Sequence, residues 1–258
     1  MLLKDRVAIV TGAASGMGRG IALRFAEEGC SSVCVDLQDA EAQKTADAVI
    51  KKGKDAIAVH CDVADSAQVK AMVDKAIKKF KKIDIMVNCA GMGTKPRMFL
   101  DITEDEYDKV VAVNMKSIFL CCQAIAPHMI ANKYGKIVNI ASIAAFSYSA
   151  FSLHYSSAKA GAFALSTNIA LDLAKHGINV NTIMPGMIRT AMTRVFAPDV
   201  IKDKDLDGFM GKLAADGIPL KREGTVEDIA SAAVFFASEM SSYITADRLC
   251  VGGGNPWK

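Results

Sequence analysis

The stretch RVAIVTGAASGMGRGIALRFAEEG, residues 6–29, decides the fold of this chain. The apolar run at 6–10 predicts a buried strand, and the spacing of apolar residues at 17–29 predicts a helix that ends at Gly29. Between them, TGAASGMG at 11–18 supplies three glycines, which let an anionic group approach the backbone at a helix N-terminus. The spacing G-x-x-x-G-x-G departs from the G-x-G-x-x-G dinucleotide fingerprint, so the turn needs support from the rest of the chain.

The remaining chain repeats this alternation of short apolar runs and longer amphipathic segments. Further strands are predicted at 31–36, 56–63, 83–88, 135–142, 178–186 and 247–253, and further helices at 39–53, 66–80, 104–130, 155–176 and 226–239. Strands that are apolar throughout and alternate with helices predict a parallel sheet covered on both faces. We therefore predict an α/β fold, a doubly wound (Rossmann) three-layer sandwich with a seven-stranded parallel sheet. A (β/α)₈ barrel is the alternative, which the seven strands and the glycine-rich first turn disfavour.

No linker, repeat or low-complexity tract divides the chain, so residues 1–258 are predicted to form a single domain. The cofactor half is expected at about 1–130 and the catalytic and substrate half at about 131–258. An irregular segment at about 187–212 is predicted to be a mobile substrate lid.

Composition and charge exclude several classes of function. The 31 basic and 28 acidic residues nearly balance, so no nucleic-acid partner is predicted. Seven scattered cysteines without a C-x-x-C pair predict neither disulfides nor a metal site, and they fit a reducing, cytoplasmic location. No segment approaches the uninterrupted apolar length of a membrane helix, and the N-terminus lacks a signal-peptide core, so no membrane partner is expected.

Residues that follow the second, third and fourth strands indicate a dinucleotide. Asp36 ends the second strand, where a carboxylate can accept hydrogen bonds from ribose hydroxyls and repel a 2′-phosphate. Leu37 follows without a positive charge, so NAD(H) is predicted in preference to NADP(H). The alternative is that Asp36 only caps a turn. Asp62 either accepts from the adenine amino group or forms an ordinary turn, and NCAG at 88–91 places small residues along the ligand's path.

Three residues near the predicted sheet edge indicate hydride-transfer chemistry. Ser142 ends the fifth strand, and Tyr155 and Lys159 lie one helical turn apart on the next helix. A phenol with a pKa near 10 is too weak an acid to serve as a base at neutral pH, unless a neighbouring ammonium or an oxidised nicotinamide lowers that pKa. Ser142 can hold the substrate oxygen beside the phenol. Taken alone, a tyrosine and a lysine four residues apart are more often a surface contact.

In their order and spacing, these motifs resemble those of the classical short-chain dehydrogenase/reductase family over essentially the whole chain. The resemblance is carried by TGAASGMG (11–18), Asp62, NCAG (88–91), Asn114, Ser142, YSSAK (155–159) and PGMIRT (185–190). It implies an NAD(H)-dependent oxidoreductase that interconverts a secondary alcohol and a ketone. It also implies a homotetramer with interfaces on the helices at 104–130 and 155–176.

The resemblance further implies roles for individual residues. In the catalytic tetrad, Tyr155 would be the general acid/base, Ser142 would orient the carbonyl or hydroxyl, Lys159 would contact the nicotinamide ribose, and Asn114 would hold a water. Cofactor contacts would come from two of these, Tyr155 and Lys159, and from Gly12, Ser15, Met17, Gly18, Asp36, Asp62, Val63, Asn88, Ala90, Gly91, Pro185, Gly186, Ile188 and Thr190. Two residues depart from the family pattern: Cys89 replaces an asparagine, and Gly252 replaces the aspartate of a C-terminal motif.

Three loops, at 92–100, 143–154 and 187–212, are predicted to determine the substrate. Their side chains predict an adaptable, mostly apolar pocket, formed by Phe146, Tyr148, Phe151, His154, Met187, Met192, Phe196 and Met210. Lys95, Arg97 and Arg194 raise the alternative of an anionic substrate group. Sugars and polyols, steroids, hydroxyacyl thioesters and small hydroxy acids stay open as substrates, as does the direction of reaction. A catalytically silent NAD-binding sensor or scaffold is the alternative function, and the complete Asn/Ser/Tyr/Lys set argues against it.

Overall fold

The computed structural model describes residues 1–146, 152–196 and 205–254. The strands are β1 (Val7–Thr11), β2 (Ser31–Asp36), β3 (Ala56–His60), β4 (Ile85–Asn88), β5 (Gly135–Ile140), β6 (Ile178–Pro185) and β7 (Arg248–Val251). The main helices are α1 (Gly16–Glu27), α2 (Asp39–Lys51), α3 (Ser66–Phe80), α4 (Glu104–Val111), α5 (Ser117–Asn132), α6 (Leu153–Leu173), α7 (Leu206–Gly217) and α8 (Val226–Ala237).

The strands form one parallel sheet in the order β3-β2-β1-β4-β5-β6-β7, which confirms the predicted fold class. The chain winds outward from β1 to β3, returns to β4 beside β1, and then winds outward in the other direction. Val10 at the centre of the sheet pairs with Cys34 on one side and Val87 on the other. In such sheets ligands bind outside the carboxyl ends of the strands, at the point where the winding reverses. That point lies here between β1 and β4.

Apolar layers cover both faces of the sheet, because successive side chains of a strand point to opposite faces. Val10 faces a fully buried layer that includes Phe25 of α1 and Phe236 of α8. Its neighbour Ile9 faces the opposite layer, with Met72 of α3 and Ile125 of α5. Burial of each large apolar side chain contributes about 1.5–3 kcal/mol. The two layers hold the strand ends, and therefore the loops that follow them, in fixed positions.

Several element boundaries differ from the sequence-based expectation. The third and fifth strands end sooner than predicted because the residues after them turn toward the sheet edge: Asp62 accepts from the Ala64 N–H at 2.9 Å, and Ser142 begins a short helical turn. Within the segment predicted to be irregular, α7 begins at Leu206. Glycines at 208 and 211 weaken its helical signal.

A continuous helical stretch, Glu104–Asn132, is long and apolar enough to span a membrane by length and composition alone. No such segment was expected from the sequence, so that statement is corrected. The stretch combines α4, a π turn at Ala112–Lys116, and α5. Ile118, Cys122, Ile125 and Met129 of α5 are buried, and α5 contacts β4 and β5. Its packing is that of a core helix against the sheet.

Candidate active site

The glycine-rich turn after β1 forms one wall of a cleft at the carboxyl edge of the sheet. Gly12 and Gly16 have positive φ angles of 70° and 51°, which favour glycine. A side chain at Gly18 would collide with the carbonyl oxygen of Gly12. The side chain of Ser15, the N-cap of α1, makes no capping hydrogen bond, and the first turn of α1 carries no acidic residue. The first N–H groups of α1 are therefore suited to bind an anionic group.

Asp36 stands at the end of β2 on the floor of the same cleft. One carboxylate oxygen accepts from the Ala14 N–H at 3.0 Å, and the other accepts from the Gln38 N–H at 3.1 Å. Asp36 therefore does cap this turn, as the alternative interpretation predicted. Each oxygen keeps a further acceptor site, and the half-buried carboxylate lines the cleft beside Leu37. Its two backbone bonds hold it in position to accept from hydroxyl groups of a ligand.

Thr11, which the sequence-based prediction missed, joins the glycine-rich turn to the NCAG segment. Its hydroxyl accepts from the N–H groups of Cys89 and Ala90 at 3.0 and 3.1 Å and donates to the Val87 carbonyl at 3.3 Å. Its position as the first residue of TGAASGMG could have identified Thr11 from the sequence. Because Thr11 is almost fully buried, these bonds fix the separation of the two walls.

The cleft has a volume of about 420 Å³ and continues into a second cavity of about 440 Å³. Of the expected cofactor residues, the first is lined by Gly12, Ser15, Met17, Gly18, Asp36, Asp62, Val63, Ala90, Gly91 and Thr190. The second is lined by Tyr155, Lys159, Pro185, Gly186 and Ile188, and it shares Met17, Gly91 and Thr190 with the cleft. Asn88 lines neither cavity. Its amide donates to the Asn139 side chain at 2.7 Å inside the sheet, and its expected contact with the ribose stays a prediction.

Tyr155 and Ser142 meet in the second cavity. The Tyr155 side chain hydrogen-bonds with that of Ser142, whose hydroxyl also accepts from the Ala144 N–H at 3.1 Å. Burial raises the pKa of the Tyr155 phenol above its ordinary value, and the Ser142 hydrogen bond opposes that rise. The sequence predicted that Lys159 would lower this pKa. In the structure the Lys159 Nζ lies 5.9 Å from the Tyr155 ring centre, and burial has the larger effect.

Lys159 is buried on the same face of α6 as Tyr155. Its ammonium donates to the carbonyl oxygen of Ile140 at 3.0 Å. Burial lowers the pKa of Lys159 to about 8, because the charged form loses its hydration. A surface contact between an aromatic ring and an ammonium, the common interpretation of such a pair, is therefore excluded.

Asn114 occupies the π turn between α4 and α5. Its amide donates to the carbonyl oxygens of Met92 and Val110 at 3.0 and 3.1 Å, and its oxygen accepts from the Met92 N–H at 3.2 Å. A side chain at Gly91 would lie 3.0 Å from Asn114 Oδ1 and 3.6 Å from Lys159 Nζ. The four predicted tetrad residues thus line the second cavity, which we call the tetrad cavity. Within it, Asn114 and Lys159 lie close to each other across Gly91. Single π turns inside helices are frequent at functional sites.

Comparison with known proteins identifies the family of this chain. A family model described as enoyl-(acyl carrier protein) reductase matches residues 12–255. The BbsD subunit of (2S)-[(R)-hydroxy(phenyl)methyl]succinyl-CoA dehydrogenase from Thauera aromatica is 37% identical over 254 residues, covering 98% of each chain. The chain is a classical short-chain dehydrogenase/reductase.

Two further relatives of this short-chain dehydrogenase/reductase have different substrates in their names. The 3-oxoacyl-[acyl-carrier-protein] reductase FabG of Staphylococcus epidermidis is 36% identical over 254 residues, covering 97% of this chain and 98% of that one. A 7α-hydroxysteroid dehydrogenase solved with NADH and 7-oxo glycochenodeoxycholic acid is 35% identical, with a TM-score of 0.90, covering 99% of this chain and 96% of that one. The chain is an oxidoreductase of this family.

Among the expected substrate residues of this short-chain dehydrogenase/reductase, Met187 and Met192 line the tetrad cavity, as does Met210. Tyr148 and Phe151 lie outside the described residues, as do the side chains of Arg194 and Phe196. Thr94, Pro96, Ala144, Ser152 and Thr193 also line the cavity and were not singled out from the sequence. Four of these lie inside the predicted loops 92–100 and 143–154, and Thr193 lies inside 187–212, so the sequence indicated the loops but not these individual residues.

Two expected substrate residues point elsewhere. Phe146 packs edge-on against Phe163 with ring centres 5.6 Å apart, and the Arg248 guanidinium lies 5.0 Å from its ring centre. His154 is fully buried, and its Nε2 lies 3.3 Å from Glu106 Oε1 of α4. Adjacent residues on a helix diverge by about 100°, so His154 turns away from the cavity that Tyr155 faces. Both predictions are therefore wrong.

The basic residues of the first substrate loop lie outside the cavity lining. Arg97 pairs with Glu106 at 3.0 Å, and Lys95 is exposed. Among the described residues that line the cavity, Lys159 carries the only charged side chain. The cavity wall therefore suits a substrate that is neutral where it meets the wall.

Gly252, where the family pattern has an aspartate, contacts a residue that lines the tetrad cavity. A side chain at Gly186 would lie 2.7 Å from the Gly252 Cα, and the Gly186 N–H donates to the Val251 carbonyl at 2.9 Å. Gly252 therefore supports a cavity-lining residue through its backbone. The other departure, Cys89, lines both cavities.

Proposed function

We propose that this protein is an NAD(H)-dependent oxidoreductase that interconverts a secondary alcohol and a ketone. The observation that carries the proposal is the meeting of Tyr155 with Ser142 in a cavity that Lys159 and Asn114 also line. This cavity opens into a cleft with an uncapped helix N-terminus and a carboxylate, the two features that a dinucleotide requires. A catalytically silent binder has no need for a buried tyrosine and a buried lysine at that position.

In ketone reduction, the Tyr155 hydroxyl donates a proton to the substrate oxygen. Burial favours the protonated phenol, so Tyr155 holds the proton that reduction consumes. The Ser142 hydroxyl donates a second hydrogen bond to the same substrate oxygen. Bound NADH would supply the hydride to the carbonyl carbon. Lys159 and Asn114 would return a proton to Tyr155 from solvent, and in alcohol oxidation the same groups act in reverse.

The preference for NAD(H) rests on Asp36. A 2′-phosphate beside its carboxylate would meet like charge, whereas ribose hydroxyls can donate to it. The neighbouring positions Ala13, Ala14, Ser15 and Leu37 carry no positive charge that would offset the repulsion. The related hydroxysteroid dehydrogenase was solved with NADH, which is consistent with this choice.

Replacement of Asp36 tests the cofactor preference. In the unmodified protein, kcat/KM is expected to be at least about 10-fold higher with NADH than with NADPH, and Asp36→Ala should reduce that ratio by about 10-fold or more. Asp36→Asn loses the charge and keeps one acceptor oxygen, which can serve only one of the Ala14 and Gln38 N–H groups, so it should relax the preference and weaken the turn less than Asp36→Ala. Asp39→Ala, three residues along and outside the cleft lining, is the matched control. Preference of the unmodified protein for NADPH would contradict the assignment.

A panel of secondary alcohols and ketones, followed by NADH absorbance, tests the reaction class. Polyols, steroids, acyl thioesters and hydroxy acids should all be included, because relatives named for acyl thioesters and for steroids have similar sequence identity to this chain. Turnover of no member, in either direction and with either nucleotide, would overturn the proposed function.

We further propose that the protein acts as a cytoplasmic homotetramer with interfaces on α4–α5 and α6. Phe119 of α5 is 43% exposed and Leu171 of α6 is 67% exposed, although both are large apolar residues. None of the seven cysteines forms a disulfide, which is compatible with a reducing compartment.

Charge placed on these helices should separate the subunits. Phe119→Glu or Leu171→Glu should lower the mass in light scattering from four chains to two or one, because a buried charge without a partner costs several kcal/mol. Ile50→Glu on α2, where the native side chain is 48% exposed, is the control and should leave the mass unchanged. A monomeric unmodified protein would rule out the assembly.

A further inference from the structure

Thr94 is a buried polar residue in the wall of the tetrad cavity. Thr94 is only 5% exposed, and its hydroxyl has no hydrogen-bond partner among the described residues. Thr94 lines the same cavity as Ser142 and Tyr155. Most buried polar side chains have a partner, so an unpartnered hydroxyl in a ligand cavity indicates that the ligand supplies one.

The other hydroxyl groups of the cavity wall differ from Thr94 because each has a partner, the weakest contact being that of Thr190, which lies 3.5 Å from the Thr193 hydroxyl. The Ser152 hydroxyl bonds with that of Ser156 at 3.1 Å, and the Thr193 hydroxyl donates to the Ile188 carbonyl at 2.9 Å. The Ser142 hydroxyl accepts from Ala144 and meets Tyr155. Thr94 is therefore the lining hydroxyl, within the described ranges, that gains most from a new bond.

The loop that carries Thr94 is held on both sides of this residue. On one side, Met92 makes two backbone hydrogen bonds with the Asn114 side chain, at 3.0 and 3.2 Å. On the other side, Arg97 pairs with Glu106 at 3.0 Å, and Glu106 also lies 3.3 Å from His154 at the start of α6. A hydroxyl fixed in this way loses little entropy when it bonds a ligand, which favours a selective contact.

The chemistry around Thr94 limits the group that it can recognise. The cavity wall is otherwise rich in apolar side chains such as Pro96, Met187, Met192 and Met210. Among the described residues that line the cavity, the charged side chain is that of Lys159, which we have placed in the proton relay to Tyr155. A charged substrate group beside Thr94 would lose its hydration without gaining an opposite charge, whereas a neutral oxygen needs only one hydrogen bond.

We propose that Thr94 determines specificity by hydrogen-bonding a second, neutral oxygen of the substrate, separate from the oxygen that reacts at Tyr155. The inference rests on the proposed function, because it concerns the substrate of that reaction. The substrate class is thus a largely apolar secondary alcohol or ketone that carries a further carbonyl, ester or hydroxyl oxygen. A site built to bond such an oxygen discriminates strongly against the analogue that lacks it, because the buried hydroxyl is then left unpaired.

Matched ketone pairs test the inference. The pairs are ethyl acetoacetate with 2-heptanone, ethyl levulinate with 2-octanone, and 1,4-cyclohexanedione with cyclohexanone, each measured as kcat/KM with NADH. For each pair, the ratio of the oxygenated to the plain ketone is compared among the unmodified protein, Thr94→Val and Thr94→Ser. Comparison among variants cancels the intrinsic reactivity of each ketone.

For at least one pair, Thr94→Val should lower the ratio about 10-fold. The decrease should come only from a lower kcat/KM for the oxygenated ketone, because valine keeps the shape of threonine and removes its hydroxyl. Thr94→Ser keeps the hydroxyl and should retain the ratio within about 3-fold. Ratios that are unchanged in Thr94→Val for all pairs, or equal losses for both members in the folded variant, would overturn the inference while leaving the proposed function intact. Absence of turnover with all six ketones in the unmodified protein would overturn this inference, and absence of turnover with every member of the wider substrate panel would overturn the proposed function as well.

Discussion

Tyr155→Phe should lower kcat by at least about 1,000-fold while NADH binding stays within about 2-fold of the unmodified protein. The substitution removes one oxygen, which is the atom that meets Ser142 and the proposed donor to the substrate. The ring keeps its buried position, so the cofactor cleft should be undisturbed. Turnover is measured by NADH absorbance and binding by quenching or enhancement of nicotinamide fluorescence.

The pH dependence of the reaction should follow from the same residue. Because burial raises the pKa of Tyr155, the phenol of the free enzyme stays protonated through neutral pH. Ketone reduction, which uses the protonated form, should therefore be favoured near neutral pH, and alcohol oxidation should rise toward alkaline pH. The Tyr155→Phe variant should show neither trend.

Tyr134→Phe is the matched control for Tyr155→Phe. Tyr134 also makes a side-chain hydrogen bond, to Glu239 at 2.9 Å, but it lines neither cavity. Its replacement should leave kcat within about 2-fold. If Tyr155→Phe kept more than a tenth of the turnover, the general acid/base assignment would be wrong.

Lys159→Met should abolish most turnover and yet stabilise the cofactor-free protein. The lowered pKa of Lys159, about 8 against an ordinary 10.5, means that burial of its ammonium opposes folding by on the order of 3 kcal/mol. Methionine removes this penalty, although it leaves the Ile140 carbonyl without its donor, which costs about 1 kcal/mol. We expect the thermal midpoint to rise by a few degrees at pH 7, while kcat falls at least about 100-fold.

The gain in stability should depend on pH in a defined direction. Below pH 8, Lys159 is protonated in both the folded and the unfolded protein, so the full penalty is present. Between pH 8 and pH 10.5 the folded protein releases a proton that the unfolded chain retains, so the penalty declines as pH rises. The difference in midpoint between Lys159→Met and the unmodified protein should therefore shrink across this window. A difference that grows with pH would contradict the burial of a charged lysine.

Lys136→Met separates the stability effect from the catalytic one. Burial also lowers the pKa of Lys136, whose ammonium donates to Asn179 at 2.8 Å, but Lys136 lines neither cavity. Its replacement should change stability in the same sense and leave kcat within about 2-fold. Equal losses of turnover in both variants would show that the role of Lys159 is structural.

The sheet could be predicted from the sequence because most strands centre on a short apolar run, such as VAIV in β1 and IMV in β4, and longer helical segments alternate with them. The positions of Tyr155, Lys159 and Ser142 followed from that topology, since the carboxyl ends of neighbouring parallel strands meet at one edge. Asp36 was also placed correctly, although its two backbone bonds could not be read from one sequence.

Other features depend on contacts between segments that no local pattern reports. His154 immediately precedes Tyr155 in the sequence, but the direction of its side chain depends on the phase at which α6 begins. The hydroxyl of Thr94 is buried because the Asn114 side chain holds the backbone of Met92. The direction of the Tyr155 pKa shift depends on how deeply the ring is buried, which is a property of the whole cavity rather than of the Tyr–Lys spacing.

The π turn around Asn114 separates the length of this helix from its packing. A π turn contains one residue more than the α turn that it replaces. Deletion of one residue at this turn would therefore permit a regular α-helix that keeps α4 and α5 on their present faces, but it would remove the wide turn from which Asn114 bonds Met92. Deletion within α5, for example at Cys121, would instead rotate the residues that follow by about 100°, and Ile125 and Met129 would leave the sheet. We therefore expect a chain shortened at the π turn to keep its fold and lose the Asn114 contacts, and a chain shortened within α5 to lose its packing.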